Sequence, residues 1–348
     1  MALTTLEFAL LKELTELDGI ASFEDEIRDY LKKRFKEMKV DYICDGLGSI
    51  AIGYDPLHKN NKSTIMIDCH MDEVGFIVSK LYDDGTIGIT PVGGINIEDC
   101  LDTSYRLKTN EGKTFVGTIV DRNVNCFEDL RLEFGFLNKK ELLENGVNYF
   151  DMVTFITEFK EIGDDLYQCK AIDNRYSIAL CLDLMEHFKN KELPFNLVYC
   201  LSAQEEVGLR GAQCMANMIK PNIAIVLDCS RAVKDPEGFG HIGDGVLLRF
   251  FDPSMVAFKE LIALQKEACE KSGAKYQYFM TRGGTDAGVI HKAYHGIRTL
   301  THCICAVDIH TPKSIFRGSD YQNAKKSLIY LLENLTEEKL EDIYRIRN

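Results

Sequence analysis

The chain has 348 residues, enough for one large α/β domain and a smaller companion. With 45% apolar and 27% charged residues, its composition is that of a soluble globular protein and excludes a disordered or membrane-embedded one. A net charge of −13, with no run of Lys or Arg interleaved with aromatic residues, opposes nucleic-acid binding. No apolar run approaches the ~20 residues of a membrane span, and the N-terminal segment lacks a signal-peptide pattern. We therefore expect a cytoplasmic protein without membrane partners.

The cysteine pattern predicts reduced thiols in place of a disulfide framework. The twelve cysteines lie singly and mostly inside apolar runs, as Cys69, Cys181 and Cys200 do. Cys303 and Cys305 are separated by one residue, which would place both on the same face of a strand. This spacing disfavours a structural zinc site.

Two helices are predicted at the start of the chain. Leucines recur at helical spacing over residues 4–18, and Thr4 followed by Glu7 indicates a capping box at the start of this helix. A second helix is predicted over residues 22–38, with Ser22 as its N-cap.

Alternating strand and helix patterns follow. The candidate buried strands are 63–68, 196–202, 223–228 and 299–307. The candidate helices are 175–190, 207–219, 254–273 and a terminal helix in 335–348. This alternation predicts an α/β fold with a mostly parallel sheet flanked by helices.

The segment from 72 to 163 has a different pattern, because short strand-like runs separated by Gly and Asn turns replace the long helical stripes. We predict that it is an inserted β domain. The catalytic domain would then comprise residues 1–71 and 164–348.

Charged residues follow directly after the predicted strands, at the edge of an open parallel sheet where ligands bind. Imidazole and carboxylate groups are the ligands of a catalytic zinc-like ion. We predict a site for two divalent metal ions formed by His70, Asp173, Glu206, Asp228 and His310. Asp173 would be shared, with His70 and Asp228 on one ion and His310 and Glu206 on the other.

Several of these positions also have plainer interpretations. Asp72 lies two residues after His70 and could accept a proton from its ring, although such a pair also arises by chance. Glu205 and Glu206 offer one metal ligand and one general base, or else a solvated helix start. Asp173 could be a helix N-cap.

Two further positions complete the predicted sheet edge. Asp228 closes an apolar run, where a buried carboxylate needs a partner or a metal ion. The glycine-containing loop 282–288 could present backbone N–H groups to a substrate, or could simply be a tight turn.

The motifs DCHMDEVGF, AIDNR, SAQEEVGLRGA, VLDCS, GGTDAG and IHTP occur in the order seen in a known family. Over almost its entire length the chain resembles the tetrahedral aminopeptidases, the forty-second family of metallopeptidases, which includes glutamyl aminopeptidase and FrvX-type proteins. QEEVGLRGA joined to GGTDAG is a highly specific combination.

The resemblance implies a role for each site residue. It places the family's metal ligands on His70, Asp173, Glu206, Asp228 and His310, with Asp173 as the bridge. It also implies that Glu205 is the general base and that Asp72 orients His70. Asn174 stands where the family usually has a second Asp.

The resemblance also implies quaternary structure. The 72–163 segment would be the family's inserted β-barrel domain, which makes the dimer contacts, and the dimers would assemble into a dodecamer. The insertion is somewhat short around 120–134.

The function expected from this resemblance is a two-metal aminopeptidase that acts on short peptides, with zinc or cobalt as the metal and manganese also tolerated. The first alternative is a related dipeptidase, carboxypeptidase or N-acyl amino acid deacylase. A polysaccharide hydrolase would require two carboxylates astride a glycosidic bond. A non-catalytic assembly protein would be expected to have lost several of these residues. The preferred N-terminal residue does not follow from the sequence.

Overall fold

Helices and strands alternate along the chain as the apolar patterns indicate. The computed structural model describes residues 2–57, 62–233 and 235–344. Within these ranges the α-helices are α1 Thr5–Glu16, α2 Asp25–Met38, α3 Lys139–Glu144, α4 Ile172–Phe188, α5 Arg210–Ile219, α6 Lys259–Ser272, α7 Ala287–Ile290, α8 Gly318–Glu333 and α9 Glu337–Tyr344. No helix in these ranges combines the length and apolar character needed to cross a membrane.

The β-strands complete the list of elements. They are β1 Tyr42–Cys44, β2 Ile50–Ile52, β3 Thr64–His70, β4 Gly75–Leu81, β5 Ile87–Val92, β6 Ser104–Lys108, β7 Thr114–Ile119, β8 Arg131–Glu133, β9 Met152–Ile156, β10 Lys160–Gly163, β11 Leu166–Cys169, β12 Asn196–Ser202, β13 Ile223–Arg231, β14 Val246–Asp252, β15 Met255–Val256, β16 Tyr276–Met280, β17 Arg298–Ala306 and β18 Ser314–Arg317.

The first two helices confirm one predicted cap and contradict the other. The Thr4 backbone N–H donates to Glu7 Oε2 at 2.7 Å, and the Glu7 N–H donates to Thr4 Oγ1 at 3.3 Å, so the capping box is present. The prediction that Ser22 caps the second helix is wrong. The Ser22 hydroxyl instead accepts a hydrogen bond from Gln204 Nε2 at 3.0 Å, and helix α2 begins at Asp25.

The large sheet confirms the predicted fold class. Its strand order is β1-β2-β12-β3-β13-β17-β14-β15, with β16 paired to β14. The four central strands β12, β3, β13 and β17 are parallel neighbours, so their carboxyl ends lie along one edge. Antiparallel pairs of strands flank this centre on both sides.

Both faces of the sheet are covered, which explains the uninterrupted apolar runs of its strands. Ile65 and Ile67 of β3 belong to a core that includes residues of α1, α2, α4, α6 and α8. Met66, between them, belongs to a second core formed with α5 and α7. The twelve cysteines are unpaired, as predicted, and Cys303 and Cys305 are buried together in β17.

The predicted first residues of three helices agree with the structure in one case and differ in two. Helix α4 includes residues from Ile172 onward, but Asp173 and Asn174 have non-helical dihedral angles, so its regular turns start at the predicted residue, Arg175. Helix α5 begins at Arg210, because residues 206–208 form a turn. Helix α6 begins only at Lys259. Asp252 Oδ1 accepts the Met255 N–H at 2.9 Å and so closes a turn that returns the chain as strand β15.

The inserted segment contains a closed barrel with strand order β4-β5-β8-β7-β6-β9. All six strands lie between Gly75 and Ile156, and the barrel has its own aromatic core. Strand β10 lies outside the barrel, in a three-stranded sheet with β11 and β18. Residues 160–163 thus pair with β11, which belongs to the segment after residue 163. The domain limits at 72 and 163 stay a proposal.

A buried ionic cluster joins the barrel to the catalytic domain. Asp18 is fully buried, and its Oδ2 lies 2.7 Å from Arg106 Nη1 and 2.8 Å from Lys108 Nζ, both on barrel strand β6. Its Oδ1 lies 2.8 Å from Lys170 Nζ and accepts a hydrogen bond from Thr154 Oγ1 at 2.9 Å. Burial alone would raise the pKa of Asp18, but Lys170 and Lys108 hold it well below its usual range.

We expect Asp18→Asn to lower the free energy of unfolding by about 3 kcal/mol, because it removes the buried carboxylate that Lys170, Lys108 and Arg106 share. The stabilisation from Asp18 is complete above its ordinary pKa of 3.8 and is lost as pH falls toward the folded-state pKa. Denaturant unfolding should therefore show a steeper loss of stability between about pH 5 and pH 2 for the parent than for the variant. Asp102→Asn, which alters an exposed Arg122 pair, is the matched control and should change stability by less than about 1 kcal/mol.

Candidate metal centre

Six acidic and imidazole side chains converge at the carboxyl edge of the four parallel strands. The strands carry His70, at the end of β3, and Asp228, within β13. The loops carry Glu205 and Glu206, after β12, and His310, after β17. Asp173 lies at the start of α4. The structure thus brings together every predicted ligand and the predicted base.

Asp173 lies between the two imidazoles. Its Oδ1 is 3.1 Å from His70 Nε2, and its Oδ2 is 3.2 Å from His310 Nε2. Glu206 Oε1 lies 3.3 Å from the same nitrogen of His310. With one oxygen toward each imidazole, the Asp173 carboxylate has the arrangement of a ligand that bridges two ions.

The remaining carboxylates lie on the His70 side. Asp228 Oδ1 and Glu205 Oε2 are each 4.0 Å from His70 Nε2. Donor atoms of His70, Asp173 and Glu206 lie within 4.8 Å of one another, and so do those of His70, Glu205 and Asp228. These groupings divide the ligands differently from the prediction, because Glu205 lies as close to His70 as Asp228 does.

The backbone around Asp173 explains why the helix-cap interpretation of this residue is wrong. Asp173 and Asn174 have non-helical dihedral angles, so the regular turns of α4 begin after them, and both carboxylate oxygens of Asp173 face imidazoles and not a helix N–H. The peptide bond from Asp173 to Asn174 is cis. The Asn174 amide donates to the Leu227 carbonyl at 2.8 Å, so this fully buried residue ties the turn to strand β13 beside Asp228.

Both imidazoles are oriented through Nδ1. The Nδ1 atom of His70 lies 3.0 Å from the Asp72 carbonyl oxygen, and that of His310 lies 2.8 Å from the Gly94 carbonyl oxygen in the barrel domain. A carbonyl oxygen is only an acceptor, so each Nδ1 carries a proton and Nε2 is free to bind a metal ion.

Asp72 acts differently from the prediction. Its carboxylate is 3.6 Å from His70 Nδ1, too far for a hydrogen bond, and it is the Asp72 carbonyl that meets the ring. The carboxylate instead accepts the Glu205 N–H at 2.9 Å and the Glu206 N–H at 3.1 Å. Asp72 therefore fixes the main chain that carries these two glutamates.

The site carries more negative than positive charge. Burial lowers the pKa of His310, but Glu206 and Asp173 outweigh it and raise the pKa to about 11. Burial likewise lowers the pKa of His70, whereas Glu205 and Asp173 raise it well above its usual value. Burial and the Asp173 charge raise the pKa of Asp228 to about 7. These shifts mark carboxylates that lack sufficient counter-charge.

The donor set fits two divalent cations. Four carboxylates face only two imidazoles, and Glu206 Oε1 is buried without a hydrogen-bond donor. Carboxylate and imidazole together suit zinc, cobalt and manganese. Dications at this position would supply the missing counter-charge.

The metal centre opens into a cavity of about 660 Å³, a size suited to a small ligand. Arg231, Arg249 and Arg282 also line it, and the sequence pattern did not indicate the first two. The available signal was the Arg249 cation, which interrupts an apolar strand; it is buried and donates to Asp252 Oδ2 at 2.9 Å.

The loop 282–288 contributes to the cavity, and the presentation of its backbone N–H groups to a substrate stays a prediction. Residues 282–284 line the cavity, as a substrate-contacting loop would. Beyond them the chain forms a tight turn, in which the Thr285 carbonyl accepts the Gly288 N–H at 2.8 Å.

The fold and sequence of this chain match known peptidases. A family model described as M42 glutamyl aminopeptidase matches residues 48–326. The glutamyl aminopeptidase of Lactococcus lactis is 34% identical over 352 residues, covering 97% of this chain and 98% of the relative. A TET aminopeptidase from a marine-sediment Thaumarchaeota archaeon superposes with a TM-score of 0.90 at 26% identity, covering 97% of this chain and 99% of that chain.

A third match concerns assembly. PhTET1-12s, a dodecamer, superposes with a TM-score of 0.86 at 25% identity, covering 96% of this chain and all of that chain. The fold and these matches define a peptide hydrolase of the aminopeptidase class. The chain belongs to the M42 glutamyl aminopeptidase family, which confirms the resemblance in its motifs.

We expect metal binding to release at least about two protons per chain at neutral pH, because His70 and His310 are protonated without metal and must be neutral to bind it. Isothermal titration calorimetry in buffers of different ionisation enthalpy measures this number. His310→Asn should lower it by about one. Binding without proton release would contradict the raised pKa values of the two imidazoles.

Proposed function

We propose that this protein is a dinuclear metal-dependent aminopeptidase that removes the N-terminal residue from short peptides. The observation that carries the proposal is the position of Asp173, whose two carboxylate oxygens lie 3.1 Å and 3.2 Å from the Nε2 atoms of two different histidines. One ion would be held by His70, Asp228 and Asp173, and the other by His310, Glu206 and Asp173. Zinc or cobalt fits these ligands best, and manganese is tolerated.

Two divalent ions, when bound, would polarise the scissile carbonyl and acidify a water molecule between them. Glu205 then serves as the general base, taking a proton from the water and returning it to the leaving amine. Burial raises the pKa of Glu205 well above its usual value, which makes the carboxylate a stronger proton acceptor. Glu205 also lines the cavity, where a substrate would reach it.

A panel of aminoacyl-nitroanilides, with and without chelator and followed by metal add-back, tests the proposed function. We expect activity that is lost on chelation and restored by zinc or cobalt. N-acetylated substrates should be rejected, because an aminopeptidase requires the free amine. Cleavage of blocked substrates would favour the deacylase alternative, and chelator-insensitive cleavage of a glucan would favour a polysaccharide hydrolase.

We expect Glu205→Gln to lower kcat by at least ~10²-fold while metal content stays near that of the parent, because only the proton acceptor is lost. Glu206→Gln is the matched comparison and should lose bound metal. Elemental analysis and steady-state kinetics distinguish the two variants. Full activity in Glu205→Gln would exclude it as the base.

We further propose a preference for an acidic N-terminal residue. Arg231 and Arg282 line the cavity with exposed side chains, and within the described residues neither forms an ion pair with a carboxylate. Arg231 donates only to the Ile309 carbonyl, at 3.1 Å. Both cations therefore remain available to a substrate carboxylate. The name of the Lactococcus lactis relative, glutamyl aminopeptidase, supports the same preference.

We expect Arg282→Ala to lower kcat/KM for glutamyl- and aspartyl-nitroanilide by about tenfold, because one charge-assisted contact is lost. Leucyl-nitroanilide should be hydrolysed as by the parent. Arg122→Ala, at an exposed position in the barrel domain, is the control. An equal loss on acidic and leucyl substrates would contradict the assignment.

The proposed assembly is a homo-oligomer in which dimers build a dodecamer, supported by the dodecameric state of PhTET1-12s. The twelve free thiols support a reducing compartment such as the cytoplasm.

A further inference from the structure

The loop that carries Glu205 and Glu206 is held by side chains from three other parts of the chain. Four consecutive backbone N–H groups each donate to a side-chain oxygen. The pairs are Ala203 to Ser49 Oγ at 3.2 Å, Gln204 to Glu24 Oε1 at 3.1 Å, Glu205 to Asp72 Oδ1 at 2.9 Å, and Glu206 to Asp72 Oδ2 at 3.1 Å. Neither a helix nor the sheet ladder supplies these acceptors.

Gln204 is the residue of this loop that most needs support. Its φ of 60° lies in the left-handed region, which is unfavourable for a residue that carries a side chain. Its side chain is also held, because its amide donates to Ser22 Oγ at 3.0 Å and accepts from Arg210 Nη1 at 3.2 Å. This conformation turns the chain from strand β12 toward the metal centre immediately before Glu205.

Glu24 is buried without a cationic partner. Its side chain is fully buried, Oε2 has no hydrogen-bond partner, and it forms no ion pair within the described residues. Burial and the nearby Asp72 charge raise the pKa of Glu24 to about 7. An acidic side chain in such surroundings is costly to the fold. The buried position of Glu24 lets its Oε1 accept the Gln204 N–H.

We propose that Glu24 is a positioning residue for hydrolysis: by accepting the Gln204 N–H it fixes the direction in which Glu205 approaches the substrate. This inference rests on the proposed role of Glu205 as the general base. Glu24 does not line the cavity, so it acts through the loop and not on the substrate. Small displacements of a catalytic group have large effects on rate, which makes a remote anchor of this kind effective.

Three substitutions separate the hydrogen bond from charge and from packing. Glu24→Gln keeps the length and the acceptor oxygen, Glu24→Asp keeps the charge but shortens the reach, and Glu24→Leu removes the acceptor. We expect Glu24→Gln to retain kcat within about threefold, and the other two to lose about 10- to 100-fold in kcat with KM within about twofold. Bound metal should stay near the parent value in all three variants.

The double variants with Glu205→Gln supply a readout that a purely structural role would not change. If Glu24 acts through Glu205, then Glu24→Leu should lower kcat far less in the Glu205→Gln background than in the parent. Equal losses in both backgrounds would overturn the proposal. So would parental kcat in Glu24→Asp, or a Glu24→Gln variant as impaired as Glu24→Asp. This last comparison decides the matter if Glu24→Leu does not fold.

Asp320 provides a control. Its carboxylate is fully buried and accepts the Gly243 and Gly245 N–H groups at 2.6 Å and 2.9 Å. The loop that contains these two glycines carries no predicted catalytic residue. Asp320→Asn should lower the melting temperature and leave kcat unchanged. The parent enzyme and Glu205→Gln test the proposed function by themselves. The Glu24 variants can therefore contradict the positioning role while the proposed function stands.

Discussion

The cost of burying carboxylates is the constraint on which this structure depends. Asp173, Glu205, Glu206 and Asp228 lie together out of water at the sheet edge, with only two imidazoles to balance them. Removing a charged group from water costs several kcal/mol per ion. Together with repulsion among the carboxylates, this cost appears as raised pKa values of Asp228 and Glu205. The fold accepts this cost at one place, where four parallel strands end, and bound dications would offset it.

A second buried acidic cluster has the counter-charge that the sheet edge lacks. Asp18 and Glu73 are as buried as the metal-centre carboxylates, but Lys170 lies 2.8 Å and 2.6 Å from them, and Arg106 and Lys108 complete the neutralisation of Asp18. Where charge serves only to hold the barrel against the catalytic domain, the chain supplies its own counter-ions. At the sheet edge, bound dications would supply the counter-charge.

What could be predicted from the sequence follows from how local each feature is. Strand β12 has the predicted bounds because both faces of the strand are buried and its apolar run ends with it. Ser22 failed as a helix cap because its hydroxyl has a distant partner, Gln204, that no local pattern reveals. The site residues could be found because they lie near the carboxyl ends of apolar strands or at a helix start, which are local patterns. The anchoring role of Asp72 and the contact from Glu24 were not found. Those depend on which loops the tertiary fold brings together.

The barrel domain contributes to the metal centre itself. The Gly94 carbonyl, in the loop after β5, orients His310 at 2.8 Å. Its neighbour Gly93 has a φ of 92°, and a Cβ there would lie 2.7 Å from a methyl group of Val74 and 3.3 Å from Glu206 Cβ. Only a residue without a side chain lets the barrel approach this closely. The orientation of the barrel, fixed at Asp18, is therefore coupled to the orientation of one imidazole. A module that would be expected to serve assembly alone also helps to form the site.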